Sequence, residues 1–476
     1  MVRYVSLPRV FVFEELLDLA THSVERAREL GAKLAITRIQ RRTYERIVYD
    51  NGTLREYSFS TVVGLGIKVY TNNGVGYSYT TSLDRESIEN CIKQALSMAN
   101  HGYTTPNPYV LNQGIARFYR TPVSKDPFTI DPGEKISLIK ELNTESMKIE
   151  GIASCTTFMG LERDVRIVVT SEGVQSVSEI TLCGIGHTVV AKDGSSMERV
   201  GDSRTFVGGY ETIRRYDWQN FVNELNNLAK QAVRAPTPSP GKYVAVVDNE
   251  LVGLLIHEAF GHACEGDYVE RGGSILQGKI GQKVASEYVT IVDQGLVEGG
   301  YPVVVDDEGI PKGRTTIVDR GILVGYLHSR ETANQINVEP TGNARAENVY
   351  YDILVRQTNF FVERGDWTPE EMIRDVKHGI YLRGRGARGG QVSPVTGTFT
   401  FSVGPSYIIE NGELKQLVRG VTVSGHIIET LMSVDAVGRD LVVKTSVFGG
   451  CGKGHQMVRV GIGGPHLRLQ IVVGGG

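Results

Sequence analysis

The strongest chemical signal in the sequence is the segment His257-Glu258-Ala259-Phe260-Gly261-His262. Two neutral imidazoles can hold a zinc ion, and a carboxylate beside them can take a proton from the water that attacks a carbonyl group. These residue types predict a catalytic zinc site, with His257 and His262 as ligands and Glu258 as the general base.

The two histidines are one residue further apart than in the common HExxH pattern. On a regular α-helix, five steps of about 100° place the two rings about 140° apart, which is too far for both to bind one ion. A π-helical turn would return them to one side, and such turns concentrate at functional sites. Because Gly261 makes local distortion of the backbone easy, we predict a distorted turn before His262. The competing interpretation is a buried helix end with two core histidines.

A catalytic zinc site also needs a third protein ligand and an open position for water. Cys451 is our preferred candidate, because the glycines around it would let a turn present a thiolate without steric hindrance. Cys264 lies only two residues past His262 and fits better as a small buried side chain. The remaining candidates are Glu265, Asp267, His455 and His466.

The histidines must be positioned by a helix, which the pattern predicts over about residues 249–263 with Asp248 as its N-cap. Further helices are predicted at residues 14–30, 87–99 and 218–233, and after the N-cap Asp131 and Pro132. Turn-forming residues predict β-hairpins at 51–52, 73–74, 172–173, 193–194, 307–309, 319–321 and 410–412.

Three prolines, Pro236, Pro238 and Pro240, rule out a helix between these elements and favour an extended connector. We therefore expect two domains, spanning residues 1–234 and 241–476. The predicted fold class is α+β, with helices and an antiparallel sheet in the N-terminal domain. The C-terminal domain is expected to be mostly antiparallel β structure that carries the metal-site helix.

Composition argues against several other classes of protein. A formal net charge of -3 gives no support to nucleic-acid binding. The five cysteines form no CxxC pair, which favours a reducing compartment. The N-terminus lacks the apolar run of a signal peptide, and no stretch approaches the roughly 20 apolar residues of a spanning helix. We expect a cytoplasmic protein with neither nucleic acid nor membrane as a partner.

Several segments together resemble the TldD/PmbA family of metallopeptidases, and specifically its motif-bearing TldD type. Residues 257–267 fit the family's HExxGHxxEGD motif, and residues 281–292 resemble its G-x-x-V-A-S-E-x-x-T-I-V stretch. Similar blocks occur at 64–69, 76–77, 340–345, 389–392, 418–420 and 451–453. The resemblance therefore spans nearly the whole chain.

The resemblance implies a cytoplasmic zinc peptidase with His257, His262 and Cys451 as ligands, Glu258 as base and one zinc ion per active subunit. Family members act on small or unfolded peptides. The implied assembly is a dimer, either a homodimer or a heterodimer with an inert PmbA/TldE-like subunit. Lys68, where the family often has Arg, and Cys264, at a variable motif position, differ from the family pattern.

Four further residues are weaker site candidates. We expect Glu265 and Asp267 to lie behind the ligands and to hydrogen-bond a ligand ring. Gly390 and Gln391, at the end of the glycine-rich run 383–390, are hypothesised to line the substrate channel, although a flexible surface loop is the simpler interpretation.

Two other functions remain open at this point. The chain could be an inert peptide-binding scaffold subunit, or a zinc hydrolase of another amide or ester, because activated water attacks any acyl bond.

Overall fold

The structure is a computed structural model that describes residues 10–101, 108–387 and 389–475. The first nine residues and Arg388 of the glycine-rich run lie outside the described residues. The α-helices are α1 Val10–Glu29, α2 Arg85–His101, α3 Pro132–Met147, α4 Glu211–Arg215, α5 Trp218–Ala232, α6 Asn249–Leu255, α7 Gly266–Glu270, α8 Arg330–Gln335, α9 Pro369–Arg374 and α10 Ile427–Met432.

The strands before residue 210 form one seven-stranded sheet of order β3-β2-β1-β5-β6-β4, with β7 paired to β6. They are β1 Leu34–Asp50, β2 Thr53–Tyr70, β3 Val75–Thr80, β4 Ala116–Arg120, β5 Ile152–Thr170, β6 Gln175–Asp193 and β7 Ser196–Val207. Among the described strands of this sheet, β4 and β6 pair in parallel and the other pairs are antiparallel. The four hairpins predicted in this region are confirmed, and at the first of them Asn51 and Gly52 have φ angles of 49° and 76°.

Helices cover the long strands of this sheet at both ends. α1 packs against β1 and β5, and α2 packs against β2 and β3, in a core that contains Val24, Ile39 and Ile92. α3 packs against β1 and β5, and α5 packs against β6 and β7, around Ile47 and Trp218. The sheet is therefore long enough to serve two separate hydrophobic cores.

The strands after residue 240 form a nine-stranded sheet, a six-stranded sheet and two short hairpin pairs. They are β8 Gly241–Val247, β9 Ile291–Gln294, β10 Arg314–Asp319, β11 Ile322–Leu323, β12 Ala344–Arg345, β13 Leu354–Val355, β14 Asn359–Val362, β15 His378–Leu382, β16 Gly389–Ser393, β17 Thr398–Ser402, β18 Ser406–Glu410, β19 Glu413–Val418, β20 Val421–His426, β21 Ala436–Val437, β22 Val442–Thr445, β23 Cys451–Lys453, β24 Gln456–Val458, β25 Gly461–Gly464 and β26 Leu467–Gly475.

The nine-stranded sheet has the order β16-β17-β20-β26-β8-β15-β18-β19, with β21 paired to β26. The six-stranded sheet has the order β11-β10-β9-β14-β25-β22. Most strand pairs in both are antiparallel; β8 with β15 and β14 with β25 are parallel. One core joins these sheets to α6 and includes Val247, Leu251, Phe260, Phe401 and Leu469. The predicted α+β class is confirmed, whereas the division into two domains at residues 235–240 stays a prediction.

Buried ion pairs connect the N-terminal sheet to the region that follows residue 240. The guanidinium of Arg330 lies 2.6 Å from Glu172 on the β5–β6 turn. Lys68 on β2 lies 2.9 Å from Glu331 and 3.7 Å from Glu308. Such pairs add little net stability, but they fix how two surfaces meet because an unpaired buried charge is costly.

Within the described residues, no helix is both long enough and apolar enough to cross a membrane.

α6, which leads to the first histidine, begins at a well-defined N-cap. Asp248 accepts a hydrogen bond from the backbone N–H of Leu251 at 2.9 Å, as predicted. The same carboxylate oxygen accepts from the backbone N–H of Gly384 at 2.9 Å. One side chain thus fixes the start of the helix and the beginning of the glycine-rich run.

Replacing this cap should destabilise the protein. We expect Asp248→Ala to lower the free energy of unfolding by about 0.5–2 kcal/mol, because the backbone donor at the helix start loses its acceptor. Asp248→Asn keeps an acceptor oxygen and should retain most of the stability. Thermal unfolding of both variants measures this difference. An Asp248→Ala protein with the same melting temperature as the wild type would contradict the capping role.

Candidate metal centre

His257 lies in a π-helical turn that ends immediately before His262, so the predicted distorted turn is confirmed. α6 passes at Ile256 into a π-helix over Ile256–Gly261, and a 3-10 turn follows over His262–Cys264. The wider π turn brings residues five apart to one side of the helix. The ring centroids of His257 and His262 are 5.3 Å apart, with the ring planes at 75°.

Gly261 is required at this turn by close packing. A Cβ atom on Gly261 would lie 2.1 Å from Oε1 of Gln357. The other end of the same amide, Nε2, donates a hydrogen bond to the backbone carbonyl of His257 at 3.1 Å. The absence of a side chain at Gly261 therefore lets Gln357 reach the turn.

Cys451 approaches the histidines from a distant part of the chain. It begins β23, which pairs with β24 in a short hairpin. Its Sγ lies 3.3 Å from Nε2 of His262. One potential ligand atom from each of His257, His262 and Cys451 lies within 4.8 Å of the others, and all three residues are buried.

Electrostatics favour the ionised form of the cysteine. Burial raises the pKa of the Cys451 thiol, but the neighbouring His257 and His262 lower it more, and the resulting pKa is about 5. Burial lowers the pKa of His262, but Glu265 and Cys451 together have the larger effect and raise this pKa above its ordinary value. Thiolate is the form that binds metal, so the two histidines shift Cys451 towards its ligand form.

These residues fit a zinc ion. Nδ1 of His257 is buried and has no hydrogen-bond partner within the described part of the chain. A buried polar atom of this kind normally has a partner, which a metal ion could supply. Imidazole nitrogen and thiolate sulfur are both ligands that zinc binds, and three protein ligands leave a fourth position open, as a catalytic zinc site requires.

Glu258 lies at the edge of this cluster and remains accessible. Its Oε2 is 3.8 Å from Nε2 of His262, and its side chain is 35% exposed. Together with His257 and Cys451 it lines a cavity of about 340 Å³. A carboxylate in this position can reach both the ligand cluster and a molecule bound in the cavity.

Charged residues form another wall of the cavity, and sequence reasoning did not identify them. Asp202 and Arg204 come from β7, Glu250 from α6 and Lys444 from β22. Arg204 lies 2.9 Å from Asp202 and 3.2 Å from Glu250, which also accepts a hydrogen bond from Lys444. The N-terminal sheet therefore contributes to the cavity, a relation that no local pattern in the sequence indicates.

Glu265 and Asp267 lie behind His262, on the side away from Cys451. Oε2 of Glu265 is 3.2 Å from Nδ1 of His262. Lys453 donates to Glu265 at 2.8 Å and to Asp267 at 2.6 Å. Burial raises the pKa of Glu265, but His262 and Lys453 lower it to about 2. The carboxylate therefore stays ionised where it can orient the ring of His262.

Gly390 and Gln391 are not among the residues that line the cavity. They lie exposed on β16, and a Cβ on Gly390 would come within 2.0 Å of the backbone of Thr400 on β17. From the glycine-rich run, Gly384 reaches the cavity instead. The glycine content of the run does not specify which of its residues faces the site.

The other candidate third ligands lie elsewhere. His466 is held by Asp440 at 2.6 Å and by Tyr381 at 3.1 Å. The thiol of Cys264 donates to the backbone carbonyl of Phe260. His455 occupies the turn between β23 and β24, with a φ of 61°. Among the described residues, His257, His262 and Cys451 are the cluster that could hold a metal ion.

Three family models match successive parts of the chain. Their descriptions are PmbA/TldA metallopeptidase domain 1 for residues 36–99, central domain for residues 125–235 and C-terminal domain for residues 240–475. The chain belongs to the PmbA/TldD family of metallopeptidases. The resemblance found in the sequence is thereby confirmed.

Curated relatives from this family align over almost the full chain. A protein named a metalloprotease from Methanocaldococcus jannaschii is 36% identical, with 94% of this chain and 98% of the relative covered. A metalloprotease TldD homolog from Haemophilus influenzae is 28% identical, with 90% of each covered. A zinc metalloprotease TldD homolog from Saccharolobus solfataricus is 27% identical, with 95% and 99% covered.

Two solved structures share the fold. A Thermotoga maritima protein described as a candidate modulator of a DNA gyrase superposes with a TM-score of 0.79 at 20% identity, with 96% of this chain and 99% of that chain covered. TldE from Thermococcus kodakarensis gives a TM-score of 0.75 at 18% identity, with 96% and 100% covered. At these identities the likeness concerns the fold alone.

A side chain at Gly261 should disrupt the ligand cluster. We expect Gly261→Ala to weaken zinc affinity at least about tenfold, as for lost supporting contacts at other metal sites, because its Cβ would displace Gln357 from the turn. Competition with a chromogenic zinc chelator measures the change.

Gly452→Ala is the matched control, because a Cβ on Gly452 points into open space beside Cys451. We expect this variant to bind zinc like the wild type. Equal affinities for both alanine variants would contradict the role of Gly261.

Proposed function

We propose that this family member is a zinc-dependent peptidase that hydrolyses small or unfolded peptides. The observation that carries the proposal is the convergence of His257, His262 and Cys451 next to Glu258, which lines a cavity together with His257 and Cys451. The names of the relatives, which include metalloprotease and zinc metalloprotease, support the same reaction class.

In this proposal the three ligands hold one zinc ion per active subunit. When bound, zinc polarises a carbonyl group and lowers the pKa of a water molecule. Glu258 accepts the proton of the attacking water and then returns it to the leaving amine, as a general base and acid. Glu265 holds the ring of His262 through Nδ1, which leaves Nε2 facing the cluster.

The proposed substrate is a peptide without fixed structure. The cavity, at about 340 Å³, is at the small end for a ligand site, so it suits a short stretch of chain. β16, which carries Gly390 and Gln391, is an edge strand of the nine-stranded sheet. An extended peptide could pair with such an edge through main-chain hydrogen bonds, which depend little on the amino-acid sequence of the peptide. This keeps both residues as candidate substrate contacts.

The assembly and location are also proposals. We propose a dimer, either of two identical chains or with a PmbA/TldE-like subunit, and a cytoplasmic location without nucleic acid or membrane as a partner. The alternative function is an inert peptide-binding subunit. The complete set of potential ligands with Glu258 beside it disfavours that role, because a scaffold has no use for a metal site.

Two substitutions separate chemistry from metal binding. Glu258→Ala should retain zinc and lose turnover of an unfolded peptide by about 100- to 10,000-fold, because the proton acceptor is removed. Cys451→Ala should lose zinc as well as turnover, because a ligand is removed. Zinc content per chain and peptide cleavage are measured on the same preparations.

Cys264→Ala is the matched control for the cysteine, since it removes a buried thiol that lies outside the ligand cluster. This variant should keep both zinc and activity. A wild-type protein that purifies without zinc and fails to take it up would favour the inert subunit. Full activity in Glu258→Ala would remove that residue from the mechanism.

A further inference from the structure

Three consecutive residues, Val355, Arg356 and Gln357, contact every chain segment that carries a proposed zinc ligand. We propose that this 355–357 segment positions the ligands, so that the separation of His257, His262 and Cys451 is set by hydrogen bonds from one short stretch of backbone and side chains. The inference rests on the proposed function, because it concerns the same zinc site.

The first contact fixes the π turn. The fully buried side chain of Gln357 donates from Nε2 to the backbone carbonyl of His257 at 3.1 Å. Its Oε1 packs against Gly261, where no side chain intervenes. Because a buried amide keeps its position to satisfy its donors, this bond limits how far the turn can move.

The second contact fixes the cysteine hairpin. Arg356 is fully buried and donates from Nη2 to the backbone carbonyl of Cys451. Its Nη1 donates to the backbone carbonyl of Gln456 at 3.5 Å, on the partner strand β24. One planar guanidinium thus contacts both strands of the hairpin that presents the sulfur.

The third contact reaches His262 through a chain of polar groups. The carbonyl of Val355 accepts a hydrogen bond from Nζ of Lys453 at 3.0 Å. The same ammonium donates to Glu265, whose carboxylate lies 3.2 Å from Nδ1 of His262. Lys453 therefore joins the hairpin of Cys451 to the group that orients the second histidine.

The 355–357 segment is itself held firmly. The backbone N–H of Arg356 donates to the carbonyl of Asn343 at 2.7 Å, and the Asn343 side chain donates to the Arg356 carbonyl at 2.9 Å. Arg345 donates to the carbonyl of Gln357 at 3.1 Å. Metal–ligand distances stay within about 0.2 Å of their ideal values. A rigid 355–357 segment therefore helps to keep the ligands at the separation that binding needs.

The test compares three variants with the wild-type protein. Gln357→Met removes the donor to the turn. Arg356→Lys replaces the guanidinium that spans both hairpin strands with an ammonium that cannot bridge both carbonyls. Lys453→Met removes the link between the Val355 carbonyl and Glu265. We expect each to weaken zinc affinity about 10- to 100-fold in competition with a chelator. In cobalt-loaded protein, Arg356→Lys should also weaken the thiolate-to-cobalt charge-transfer band, because the sulfur is displaced.

Two variants control for general damage to the core. Asn143→Leu removes a buried amide that donates to the backbone carbonyls of Tyr49 and Cys155 in the N-terminal sheet. Arg330→Lys changes a fully buried arginine whose partners include Glu172, away from the ligands. Both should lower the melting temperature yet keep the zinc affinity and the cobalt spectrum of the wild type.

The outcomes separate the two claims. A wild-type protein that binds no zinc would overturn the proposed function. The positioning role alone would be overturned by a different result. In that case the wild type binds zinc, and Lys453→Met and the other folded variants have the same zinc affinity and cobalt spectrum as the two controls. Weaker affinity in the three variants but not in the controls supports the positioning role.

Discussion

The approach of the Cys451 sulfur to Nε2 of His262, at 3.3 Å across 189 residues of chain, is the interaction on which the candidate site depends. Neither residue could bind a metal productively alone, and local structure brings only the two histidines together. The sulfur arrives on a hairpin whose position is set by tertiary contacts. The tertiary contacts of the region after residue 240 therefore bring the three potential ligands together.

The charge state of the ligand cluster depends on the groups buried around it. Burial alone would disfavour the Cys451 thiolate, but His257 and His262 beside it stabilise that form, and a carboxylate–lysine pair lies behind His262. The site nevertheless opens on one side, where Glu258 is partly exposed to the cavity. Part of that wall comes from β7, so residues of the N-terminal sheet define the space that a substrate would enter.

Much of the local structure could be predicted from the sequence. The five-residue spacing of the histidines conflicts with a regular helix, and Gly261 offers the means to resolve the conflict, so the π turn followed from geometry. Asp131, Asp248 and the Asn51-Gly52 turn act through their own backbone neighbours. Such effects depend on a few adjacent residues and are therefore visible in a linear pattern.

Other features depend on the folded chain and left no such pattern. Arg356 and Gln357 lie in an unremarkable polar stretch, and their roles appear only when the hairpin and the turn surround them. Gly390 and Gln391 were hypothesised to line the substrate channel; strand pairing places them on the exposed edge strand β16, outside the cavity lining, and their contact with substrate stays a proposal.

The most direct test of the account is anomalous X-ray scattering at the zinc edge from crystals of fully metallated protein. We predict one peak per chain, about 2.0–2.1 Å from a nitrogen of His257 and of His262 and about 2.3 Å from the sulfur of Cys451. The absence of a peak among these three side chains would contradict the account.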